Sequence, residues 1–103
     1  MMLGLLISLL WAAAVVLELI YLIILYWHKI VDFVRNRHYL VEDDKDRVAF
    51  SLQDKLSNGD YKTVYGIFDK VTNELVDGEQ IQSDDIDEEL ETMHMTNELL
   101  ILK

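Results

Sequence analysis

The chain has 103 residues, 51% of them apolar, no Cys and a formal net charge of -10. That length suits one small domain and excludes a core of enzyme size standing beside a second unit. The lack of Cys excludes disulfide and zinc-thiolate chemistry, and the acidic balance excludes direct nucleic-acid binding by the acidic part, since a phosphate polyanion is repelled by it.

The charge is unevenly placed. From Met2 to Trp27 only Gly4, Ser8 and Glu18 fall outside the apolar set, whereas 17 of the 19 acids lie at or beyond Tyr39. A helix over this apolar run would rise ~39 Å, more than the ~30 Å hydrocarbon core of a bilayer. The sequence therefore predicts a single-pass transmembrane helix from about Leu3 to about Arg37, extended past the membrane because no Pro interrupts it. A cleaved signal peptide with Ala12 to Ala14 as its small-residue site is the competing reading, but Met1 and Met2 supply no basic n-region. Tyr26 and Trp27 take the place of an aromatic belt, with Lys29, Arg35 and Arg37 as the other interfacial anchors. Lys29, Arg35, Arg37, Lys45 and Arg47 all follow the span, so the expected orientation puts the N-terminus outside and the acidic module in the cytoplasm.

Glu18 stands out within the run, because a charged carboxylate in mid-span costs at least ~2.5–3.5 kcal/mol on insertion scales. On a helical wheel it shares a face with Gly4, Trp11, Val15 and Leu22, with Ser8 at the margin. Gly4, Ser8 and Ala12 form a small-residue run at four-residue spacing. This face reads as a helix interface; the alternative is an ion path through Glu18.

The chain divides into 1–38, the helix with its basic juxtamembrane extension; 39–47, an acidic linker; and 48–103, a small α+β module. Asp43, Asp44 and Asp46 lack the Gly and closing Glu of an EF-hand loop. Arg47–Leu56 is ambiguous between helix and strand, and a turn at Asn58 to Asp60 favours strand. Tyr61–Asp69 is a strand with Gly66 at a bulge or close approach, and Leu75–Gln82 is its antiparallel partner after a turn at Val71 to Asn73. Asp77-Gly78 offers an alternative turn. Ser83 is the expected N-cap of a helix with Ile86, Leu90 and Met93 inward and His94 in its last turn. Glu98–Lys103 reads as a buried terminal strand. The expected sheet is antiparallel with one helix across it.

Catalytic groups are not recognisable. Ser51, Ser57 and Ser83 have no neighbouring His in sequence, and His28, His38 and His94 lack metal-ligand spacing. The acids from Asp84 to Glu91 read as a solvated helix face. The expectation is a non-enzymatic membrane protein with no cofactor, catalytic site or metal. Its role would be that of an assembly factor, accessory subunit or regulator. Its partners would be the lipid bilayer and copies of itself or a larger membrane complex; the alternative is a homo-oligomeric pore with Glu18 in the path.

Overall fold

The apolar N-terminal run does not form one helix. In the computed structural model, which describes residues 2–102, it is divided into α1 (Met2–Ala13), a 3-10 turn (Ala14–Val16), β1 (Leu19–Leu25) and the start of α2 (Trp27–Arg35). The division follows residue type. Leu, Met and Ala dominate up to Ala14, whereas Val15, Val16, Ile20, Tyr21, Ile23 and Ile24 are β-branched or aromatic and favour extended chain. Leu17 leaves the turn in an extended conformation, and Tyr26 does the same between β1 and α2.

Among the described residues no helix is long and apolar enough to cross a membrane. This overturns the single-pass helix, the membrane localisation and the outward-N-terminus, cytoplasmic-module orientation built on it. The longest dimension of the molecule, 37 Å, is also shorter than the ~52 Å rod a helix from Leu3 to Arg37 would make.

The remaining elements are a 3-10 turn at His38–Leu40, β2 (Arg47–Lys55), β3 (Tyr61–Asp69), β4 (Glu74–Ile86), α3 (Glu88–Met93) and β5 (Leu99–Leu102). They form one five-stranded sheet in the order β1-β4-β3-β2-β5. β2, β3, β4 and β5 pair antiparallel, whereas β1 runs parallel to β4 from Leu19 opposite Gln80 to Leu25 opposite Ile86. The expected antiparallel sheet with one helix is therefore a mixed sheet with three helices, its fifth strand drawn from the supposed span. Lys103, placed by sequence in the last strand, lies outside the described residues, as does Met1.

Strand alternation supplies both faces of the core. On one side Leu10 and Ala14 pack on Phe50, Leu52, Val64 and Phe68. On the other, Trp27, Ile30 and Phe33 from α2 and Leu90 from α3 cover Tyr65 and Ile81, while Val34 meets Ala49 and Ile67. Spacings of three and four residues along α2 place these side chains on one face. Gly66 lies opposite Gly78, where an added Cβ would stand 2.6 Å from the Gly78 Cα. The close approach expected at Gly66 is thus real, and the register irregularity falls beside it, between Ile67 and Phe68.

Candidate functional site

β1 is an edge strand. Its odd-numbered residues face β4, as the Leu25 carbonyl shows by accepting from the Asp87 N–H at 3.1 Å. The register with β4 keeps one offset from Leu19 opposite Gln80 to Leu25 opposite Ile86, which turns the N–H and C=O groups of Ile20, Leu22 and Ile24 to the open side. Among the described residues β1 pairs with β4 alone. All seven residues of the strand are uncharged. The side chains of Ile20 and Leu22 pack against the α2 core, while Tyr21 and Ile23 on the opposite face remain 70% and 79% exposed. Val15 and Val16, in the turn before the strand, are exposed as well. Sheet edges are normally blunted by charge, shortness or a covering element. β5, the other edge, has four residues, whereas β1 is longer, uncharged and, among the described residues, without a strand on its outer side.

The residues expected to line a membrane helix are dispersed. Gly4, Ser8, Ala12 and Glu18 are exposed, Leu22 and Trp11 are half-buried, and the Trp11 indole N–H donates to Glu98 Oε2 at 2.8 Å. The expected interfacial anchors are divided between core and surface. Trp27 is buried with its backbone N–H donating to Asp87 Oδ1 at 3.0 Å, and Tyr26 stacks on His28 at the surface. Lys29 lies 3.7 Å from Glu79, Arg35 lies 3.7 Å from Asp32, and Arg37 donates to Asp77 at 2.6 Å while lying over the Phe33 ring. Glu79 also accepts from the Tyr65 hydroxyl. Burial, and then that bond to a carboxylate, push the Tyr65 phenol well above its ordinary range. The basic block is thus two α2 residues, Lys29 and Arg35, and Arg37 just beyond the helix, paired with acids of β4 and α2 at exposures where such pairs contribute ~0–1 kcal/mol each.

One pairing is invisible in sequence because 43 residues separate its members: Ser51 Oγ lies 2.9 Å from His94 Nε2. His94 Nδ1 lies 2.9 Å from the Asn97 carbonyl, which can only accept, so the neutral ring carries its proton on Nδ1 and Nε2 accepts from the Ser51 hydroxyl. This is the order of groups in a base-activated nucleophile. Ser51, however, is 0% exposed, so its oxygen has no path to a substrate. Burial holds the imidazole below its ordinary value, with the Asn97 and Glu98 backbone contacts opposing it. A cleft of about 480 Å³ between α2 and β5 has Trp27 and Val34 among its walls and Arg35 and His38 among its polar groups. No group of three or more His, Asp or Glu among the described residues converges as a metal site. No protein family, curated protein or solved structure matches this chain.

Proposed function

We propose that this protein is a non-catalytic association module of accessory or regulatory type, which joins a protein partner by adding a strand to the free edge of β1. The observation that carries the reading is an uncharged seven-residue edge strand with three residues' outward backbone groups unpaired and Tyr21 and Ile23 exposed beside them. Main-chain bonds to an added strand would supply affinity, and the flanking side chains would supply selectivity. The Ser51 hydroxyl beside His94 is itself fully buried, so that pair presents no nucleophile at the surface, whereas the β1 edge is open to a partner.

The test is site-specific photocrosslinking in the native host, with a benzophenone amino acid at Tyr21 or Ile23 and, as control, at the exposed Val71 far along the chain. Adducts identified by mass spectrometry should form at positions 21 and 23, not at 71, and should be lost with Ile24→Pro, which removes one outward N–H. Equal yields at all three positions, or none, would refute an association through β1.

A further inference from the structure

We infer that the strand added to β1 is β1 of a second copy, running antiparallel about a two-fold axis at Leu22. This rests on the association reading above and specifies its partner.

The backbone supports this register. Outward-facing groups belong to Ile20, Leu22 and Ile24, which are symmetric about Leu22. In an antiparallel pair centred there, Leu22 exchanges two bonds with the copy's Leu22, and each Ile20 exchanges two with the other chain's Ile24. No outward N–H or C=O of these three residues is then left over. A shift of one residue would misalign all of them.

Side chains agree with the backbone. In this register Tyr21 lies opposite the other copy's Ile23, and the reverse, so the two exposed residues of each strand become two aromatic–β-branched cross-strand pairs. On the other face Ile20 meets Ile24.

Charge selects the direction. Two chains of net charge -10 repel one another, and β1 carries no charged residue. Glu18, immediately before the strand, would face its own copy in a parallel pair. Antiparallel, the two Glu18 residues stand ~27 Å apart, well beyond the ~8 Å screening length at physiological salt. The ribbon, ~23 Å long, covers less than the ~800 Å² per partner of a standard interface, so association belongs in the micromolar range or weaker.

The full chain, which has no native Cys, permits a direct test. Leu22→Cys places two thiols on directly opposed, hydrogen-bonded residues, with Cα atoms ~5.5 Å apart and within disulfide reach. Tyr21→Cys places them on a diagonal of ~7–8 Å. Sedimentation of the wild type should show a monomer–dimer equilibrium, and mild oxidation should crosslink Leu22→Cys several-fold more than Tyr21→Cys. Ile23→Lys should shift association to higher concentration. A wild-type dimer with equal or reversed crosslinking would overturn the register. A wild type that stays monomeric, with fast amide exchange at Ile20, Leu22 and Ile24, would overturn self-pairing and leave the edge free for another protein. A monomer with those amides protected would overturn both readings, since the edge would not be open; these last two results require no variant.

Discussion

At His94 a half-buried ring couples stability to pH. The folded imidazole is harder to protonate than the unfolded one, whose ordinary value is 6.5, so the unfolded state binds more protons as pH falls through that value. Stability should be flat above about pH 6.5 and fall below it, until the folded ring also titrates. Asp69 acts in a separate window. The N–H groups of Val71 and Thr72, with Arg47 beside them, hold its carboxylate below the ordinary 3.8, so its contribution is present above that value and is lost as pH drops through the folded one. Urea titrations at pH 5 and pH 7.5 should give a lower midpoint at pH 5. His94→Gln, which keeps an amide to face Ser51 but does not titrate there, should reduce that difference. An unchanged difference would place the pH response elsewhere. Gly66 is the second residue on which much depends: any Cβ meets the Asp77 backbone carbonyl, which cannot rotate away. Gly66→Ala should cost more than ~2 kcal/mol by overpacking and strain. Gly4→Ala, in open space on α1, should be neutral or stabilise by up to ~1 kcal/mol, both read from denaturation midpoints.

Between elements, Asp87 ties three together. Its Oδ1 accepts from Leu90 N–H at 3.1 Å, capping α3, and from Trp27 N–H at the first turn of α2, while its own N–H donates to the last residue of β1. Ser83, the N-cap expected from sequence, instead lies inside β4, which runs on to Ile86, and its buried hydroxyl has no hydrogen-bond partner among the described residues. Asp87→Ala should therefore cost ~1–2 kcal/mol, whereas Ser83→Ala should be neutral or mildly stabilising. The reverse order in thermal melts would restore Ser83 as the cap. The miss has a physical origin: Ser83, Asp84 and Asp85 are all good capping residues, and it is pairing with β3 at Ser83 and with β1 on to Ile86 that keeps the chain extended through them. Elsewhere local chemistry was enough. Tyr61–Asp69 is legible from its β-branched and aromatic content, and the turn before it from Asn58 and Gly59, whose φ of 95° suits glycine. Leu90 is buried as expected, but Ile86, expected on the same helix face, ends β4 instead, and Met93 is 39% exposed in a helix of six residues. The free edge of β1 was not legible, because an apolar run has no periodicity to tell a buried helix from a strand. The shift from Leu and Ala to Val, Ile and Tyr near residue 15 was the available signal.

For the whole molecule, the first third of the chain supplies structural layers: α1 covers one face of the sheet, β1 extends it by parallel pairing with β4, and α2 covers the other face. A crossover of this kind joins strands far apart in sequence, so the acidic C-terminal part and the apolar N-terminal part share one core. It follows that Ile30→Ala, at a fully buried α2 position over Tyr65 and Ile81, should lower global stability by ~2–5 kcal/mol and loosen the C-terminal strands with it. Independent melting of the two halves would argue against a common core. The pairing of β1 with β4 has a signature no helix shares. Residue-resolved amide exchange, measured on dilute protein without detergent, should show slow exchange at Tyr21, Ile23 and Leu25, whose N–H groups face β4, and fast exchange at Ile20, Leu22 and Ile24 on the open edge. Uniform protection from Leu5 through Trp27, as one continuous helix would give, would contradict the account.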